Sequence, residues 1–133
     1  MKATLVALVA VLLLSAGPYA HGQDAYKAIT RALATANADQ MLAHMAQHVS
    51  IGLPQAQARQ AERNDAAQLL RDFFDGLTVA GFDVSHHDQR EASGYLFGTL
   101  RTNQGPYHVS CFLRREDDNY VIQKIRIDKQ EYD

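Results

Sequence analysis

Between Asn64 and Ile127 the spacing of apolar residues changes from a helical period to the two-residue alternation typical of β-strands. In NDAAQLLRDFFDG, apolar side chains recur every three or four residues, which predicts an amphipathic helix that Asn64 or Asp65 caps and Gly76 ends. Four strands are predicted to follow, in GFDVSHH, SGYLFGTLRT, PYHVSCFLRR and NYVIQKIRI. Because each element has one apolar side, we expect the helix to lie across one face of a curved antiparallel meander in an α+β fold.

The preceding part of the chain predicts two shorter helices and one strand. Asp24 caps a helix in DAYKAITRALATA, and Asn37 caps a second helix in ADQMLAHMAQ. Apolar and polar residues alternate in HVSIGL, which is predicted to form a strand that Pro54 ends. The segment 55–63 is polar and rich in alanine, and its pattern leaves a loop or an irregular helical approach open.

The predicted core takes the apolar positions of these elements. Strict alternation separates Phe112 from Val109, and Ile122 from Ile125, so we expect some of them at an interface or under a flanking helix. Gly94 inside a strand predicts a bend or bulge in a strongly curved sheet, as does Gly98. The full predicted core is Ile29, Leu33, Leu42, Leu69, Leu70, Phe73, Phe74, Phe82, Val84, Val109, Phe112, Ile122 and Ile125.

The first 22 residues have the pattern of a secretory signal peptide. Lys2 precedes an almost unbroken apolar run over 3–16, Gly17-Pro18 follows, and residues 20–22 fit a small-x-small cleavage site. Cleavage after Gly22 would leave residues 23–133 as one domain, periplasmic or secreted, whereas an uncleaved anchor is the alternative. Gly17 stands where a lipoprotein would carry its cysteine, so no lipid is expected.

Charge and cysteine content exclude several classes of function. The formal net charge is −2, and Arg114-Arg115 is followed at once by Glu116-Asp117-Asp118, so we expect no nucleic-acid partner and no membrane binding after signal cleavage. Cys111 is the single cysteine, which excludes an intramolecular disulfide. Its place in YHVSCFLRR favours a small buried hydrophobe over a reactive thiol.

The order of elements is similar to that of the cone-shaped fold of the nuclear-transport-factor-two-like superfamily. The helix AAQLLRDFF, the strand pair GYLFGTLRTNQGPYHVSCFLRR and the closing NYVIQKIRID resemble domain-of-unknown-function family 4783, a bacterial exported family of that superfamily. This resemblance implies a fold and export, and it implies no mechanism. Superfamily members frequently pair through the outer face of the sheet, which predicts a homodimer.

Histidines and aromatic residues on the strands are the candidate site. His86 and His87 point to opposite faces of a strand, and alternation with Phe82 and Val84 makes His86 the inward one, while Asp83 faces solvent. The predicted pocket residues are His86, Tyr95, Phe97, Tyr107 and Cys111.

No catalytic or metal-binding signature is present in the sequence. His44 and His48 are four residues apart but lack the glutamate of HExxH, so they are not predicted to bind metal, and no cofactor is predicted. The sequence favours an exported non-catalytic binding module for a small apolar molecule or a partner protein. The alternative is a ketosteroid-isomerase-like or polyketide-cyclase-like enzyme, in which His86 would be the base and Tyr95 or Tyr107 the hydrogen-bond donor.

Overall fold

The computed structural model describes the backbone of residues 21–130 and the side chains of residues 25–130. Nearly all of the predicted signal peptide, residues 1–22, lies outside the described residues. The elements are α1 (His21–Ala34), α2 (Ala38–Leu42), β1 (Met45–Leu53), β2 (Ala56–Glu62), α3 (Arg63–Asp75), β3 (Val79–Gln89), β4 (Ser93–Thr102), β5 (Gly105–Glu116) and β6 (Asn119–Lys129). None of these helices is long and apolar enough to span a membrane.

The six strands form one sheet in the order β2-β1-β6-β5-β4-β3. The predicted meander β3-β4-β5-β6 is antiparallel throughout, and its second and third hairpin loops lie at residues 103–104 and 117–118. β1 pairs antiparallel with β2 but parallel with β6, so the sheet is mixed where a wholly antiparallel one was expected. The α+β class with a curved sheet is confirmed.

All three helices lie on one face of the sheet, called here the inner face. α1 packs against β3 and β6, α3 packs against β1, and α2 bridges α1 and α3. Their apolar stripes meet inward-pointing residues of the strands in one continuous core. Such burial is the main favourable term in folding, at roughly 25 cal/mol for each Å² of apolar surface removed from water.

Two boundaries predicted for the N-terminal half are wrong, namely the end of the second helix and the start of the strand in HVSIGL. The second helix ends at Leu42 rather than continuing to residue 47, and Met45 already pairs with Ile122 as the first residue of β1. Met41 in the helix and Met45 in β1 are both buried. Their spacing of four residues therefore fits a continuous helix and also a helix that gives way to a strand. The undecided segment 55–63 contains β2, an edge strand in which only Ala61 is buried.

Most of the predicted core is buried, with four exceptions. Leu42 and Leu69 are only partly buried, whereas Val84 and Phe112 are 40% and 39% exposed. Ile122 and Ile125 both point inward, because the pairing of β5 with β6 shifts by one residue between Phe112 and Leu113. That bulge cancels the separation that strict alternation predicts.

Candidate functional site

A bulge in β3 decides which histidine faces the core. Val84 pairs with Gly98 but His86 pairs with Phe97, so Ser85 is an extra residue in β3, and its hydroxyl donates to the Phe97 carbonyl oxygen at 3.1 Å. Directly paired residues point to the same face of an antiparallel sheet. The prediction that His86 is the inward histidine is therefore wrong: His87, opposite the buried Leu96, faces inward.

The inner face of β3 and one flank of α1 enclose an open cavity of about 680 Å³. Val84, 40% exposed, and Leu96 supply apolar surface, and His87 lies beside them. Pockets of this size and lining are the ordinary sites for small molecules. The lining residues are Tyr26, Lys27, Thr30, Arg31, Ala34, Val84, His87, Asp88, Gln89 and Leu96.

Tyr26 lines the cavity and ties α1 to β3. Its hydroxyl donates a hydrogen bond to the main-chain carbonyl of Asp88, and its ring centroid lies 5.5 Å from that of His87. Burial raises the pKa of Tyr26 to about 12. A Cβ on Gly94 would overlap the Tyr26 hydroxyl, so Gly94 provides space for this contact.

The predicted bulges at the glycines of β4 lie elsewhere. The register between β4 and β5 is continuous through Gly94 and Gly98, and the irregularity is in β3, opposite Gly98. A Cβ on Gly98 would meet the ring of Phe82, which packs over it. Both glycines therefore allow an aromatic side chain to pack closely against β4, and they do not bend that strand.

Two of the five predicted pocket residues belong to the core. Tyr107 is buried on the inner face, where its ring packs edge-on against Phe73 with centroids 5.4 Å apart. Cys111 is fully buried between strands, and burial raises the pKa of its thiol to about 12. Neither residue lines the cavity between α1 and β3.

The other three predicted pocket residues lie on the outer face of the sheet. The rings of Tyr95 and Phe97 are stacked with centroids 4.8 Å apart, and Phe112 meets Phe97 edge-on at 5.6 Å. We call Tyr95, Phe97 and Phe112 the aromatic row. Lys124 Nζ lies 5.7 Å from the centroid of the Phe112 ring, and His86 is paired with Phe97. The structure thus divides the predicted pocket between two faces, and ligand binding at these five residues stays a prediction.

The histidines of the N-terminal half lie in different local environments. His44 precedes β1 and burial lowers its pKa, whereas His48 is exposed within β1. Among the side chains of residues 25–130, no three of His, Cys, Asp or Glu converge in a way that could hold a metal ion.

The family is decided by a sequence model of a domain of unknown function, DUF4783, which matches residues 26–128. The chain belongs to the DUF4783 family. A DUF4783 protein from Bacteroides uniformis is 29% identical, with a TM-score of 0.76 over 80% of this chain and 97% of that one. A DUF4783 protein from Bacteroides fragilis is 31% identical, with a TM-score of 0.72 over 77% of this chain and 96% of that one.

More distant structures share the fold alone. An uncharacterized protein with a cystatin-like fold from Silicibacter pomeroyi is 12% identical, with a TM-score of 0.59 over 81% of this chain and 74% of that one. No curated protein sequence matches the chain. The resemblance to DUF4783 and to the nuclear-transport-factor-two-like fold is therefore confirmed.

Sequence reasoning missed the residues that line the cavity of this DUF4783 protein. Tyr26, Lys27, Thr30, Arg31 and Ala34 lie on one flank of α1, beside the apolar stripe that contains Ile29 and Leu33. Their spacing of three and four residues was a usable signal, because it places them on one side of a helix. It could not indicate which strand that side faces.

Proposed function

We propose that this chain is an exported, non-catalytic module that binds a small, largely apolar molecule in the cavity between α1 and β3. The observation that carries the proposal is the exposure of Val84. It is an inward-facing aliphatic side chain on a strand packed by a helix, yet 40% of it is exposed in a cavity of about 680 Å³. Apolar surface left uncovered inside a concave site supports a ligand that covers it.

The polar groups around this cavity support binding more than catalysis. The Tyr26 hydroxyl is already committed to the Asp88 carbonyl. The carboxylate of Asp88 accepts from the Gln89 main-chain N–H at 2.9 Å and from Arg90 Nε at 3.3 Å. In the enzyme alternative, His86 and Tyr107 lie on opposite faces of the sheet, so they cannot form one acid–base pair. Tyr95, the other candidate donor, lies with His86 on the outer face, and neither residue lines the cavity.

A thermal-shift screen of lipids and metabolites on two matched variants tests the binding proposal. A ligand that raises the melting temperature of the wild type should stabilise His86→Ala equally and His87→Ala less, because only His87 faces the cavity. Val84→Trp, which fills the cavity, should abolish the shift. A ligand shift that is lost in His86→Ala and kept in Val84→Trp would contradict this site.

Export is part of the same proposal and has its own test. α1 begins at His21, so cleavage after Gly22 would remove two residues of the helix and leave its buried positions, from Ala25 onward, in place. The apolar run over 3–16 supports a secretory signal. Intact-mass measurement on the protein from a periplasmic or extracellular fraction should give an N-terminus at Gln23. A mass that retains residues 1–22 would contradict cleavage.

The aromatic row supports a second candidate, a homodimer through the outer face of the sheet. Phe112 is 39% exposed there, and its neighbours Tyr95 and Phe97 are only half-buried. Adjoining exposed aromatic rings are enriched at protein interfaces. Light scattering should give twice the monomer mass for the wild type, the monomer mass for Phe112→Glu, and twice it for Val84→Glu, an equally exposed inner-face control. A monomeric wild type would refute the homodimer.

A further inference from the structure

One rim of the cavity between α1 and β3 is cationic. Lys27 and Arg31 lie four residues apart on α1, so their side chains share one flank of the helix, and both line the cavity. The chain as a whole has a formal net charge of −2, so a generally basic composition does not account for this pair of cations. Two cations at the mouth of a largely apolar cavity focus a positive potential on it.

No described carboxylate neutralises these cations. Within residues 25–130, the arginines in ion pairs are Arg71, Arg90, Arg101, Arg114, Arg115 and Arg126. Asp88 is the carboxylate that lines the cavity, and it is paired with Arg90. The helix dipole favours a cation in the last turn, which accounts for Arg31 but not for Lys27 one turn earlier.

The same cavity also has an apolar lining. Val84 and Leu96 on the sheet supply it, together with Ala34, three residues after Arg31 on α1. A ligand that matches both parts has an anionic head group and an apolar chain. The anion accepts charge-assisted hydrogen bonds at the rim, and the chain removes the apolar surface of Val84 from water. Resting on the proposed function, we propose that the cavity binds single-chain amphiphilic carboxylates, with the head group between Lys27 and Arg31 and the chain over Val84 and Leu96.

Calorimetric titration with three probes tests this inference at neutral pH. The probes are dodecanoate, 1-dodecanol and dodecyltrimethylammonium, which carry an anionic, a neutral and a cationic head group on chains of similar length. We expect dodecanoate to bind most tightly and dodecyltrimethylammonium least. The variant Lys27→Gln/Arg31→Gln should bind dodecanoate about tenfold more weakly, as expected for two exposed ion pairs, and should bind 1-dodecanol as the wild type does.

A matched variant controls for total charge. Arg59→Gln/Arg63→Gln removes two exposed positive charges beside the opposite edge of the sheet, and dodecanoate affinity should stay at the wild-type value. Equal affinity of the wild type for dodecanoate and 1-dodecanol, or equal losses in the two double variants, would overturn the carboxylate inference and leave the apolar binding site standing. Failure of all three probes to bind would count against the proposed function as well.

Discussion

The hydroxyl of Tyr26 on α1 donates its hydrogen bond to the main-chain carbonyl of Asp88 on β3, 62 residues further along the chain. A second tyrosine acts on the same hairpin, since the Tyr120 hydroxyl donates to the carbonyl of Arg90 at 2.5 Å. β3 is one of the two edge strands of the described sheet, and β4 is its strand neighbour. These two tyrosines therefore fix the wall of the cavity from inside the core.

Removing the Tyr26 hydroxyl should cost measurable stability. We expect Tyr26→Phe to lower the free energy of unfolding by about 1 kcal/mol, the usual net contribution of one hydrogen bond. Urea denaturation gives the value. Tyr95→Phe is the control, because the Tyr95 hydroxyl on the outer face donates no hydrogen bond to another described residue. An equal loss in both variants would show that the hydroxyl of Tyr26 has no special role.

The contribution of Tyr26 should also depend on pH. Its pKa is raised from 10.0 to about 12 in the folded protein, so the folded state holds this proton more tightly than the unfolded state does. The stabilisation is fully present below pH 10.0 and is lost as pH rises towards about 12. The difference in unfolding free energy between the wild type and Tyr26→Phe should shrink over this interval. A difference that grows with pH would contradict the assignment.

Gly94 should be coupled energetically to Tyr26. Gly94→Ala places a methyl group against the Tyr26 hydroxyl and should destabilise the fold by about 1–3 kcal/mol, as overpacking does. In the Tyr26→Phe background the same change should cost at least about 0.5 kcal/mol less, the size of coupling seen between contacting residues. Gly76→Ala is the control, since a Cβ there meets only one backbone atom, at 3.8 Å. Additive effects of the Gly94 and Tyr26 changes would refute the coupling.

Cys111 should be chemically inert in the folded protein. Its side chain is fully buried and its thiol pKa is raised to about 12, so the reactive thiolate is scarce at neutral pH. A thiol reagent such as iodoacetamide should leave the native protein unmodified and label it in urea. Cys111→Ser should destabilise by about 1–3 kcal/mol, since it buries a hydroxyl in an apolar site. Rapid labelling of the native protein would instead indicate an accessible site at Cys111.

The architecture was readable from the sequence because most elements have a regular pattern. α3, β4 and β5 keep their apolar period, and the loops at 103–104 and 117–118 have turn residues. β2 was undecided because it is an edge strand with one buried side chain, Ala61, so backbone pairing with β1 holds it in place. Such pairing leaves no trace in the apolar pattern.

The candidate site was harder to predict than the fold, because it depends on two irregularities. The extra residue Ser85 in β3 exchanges the faces of His86 and His87, and a similar shift in β6 brings Ile122 and Ile125 to one face. A bulge of one residue reverses every later position in a two-residue alternation. The cavity also needs α1 beside β3, two elements separated by more than 40 residues, and local pattern contains no information about such contacts.

The position of β6 in the sheet has a consequence for the order in which the chain can fold. β6 is the last strand of the described chain, yet it joins the pair β2-β1 to the triplet β5-β4-β3. Non-local pairings of this kind close late, since the entropy of bringing distant segments together is lost before the contacts form. A nascent chain that has not yet released residues 119–129 from the ribosome has two unjoined half-sheets and an open β1 edge. During synthesis, this open edge of β1 is accessible to a chaperone, a translocase or a protease until β6 is available.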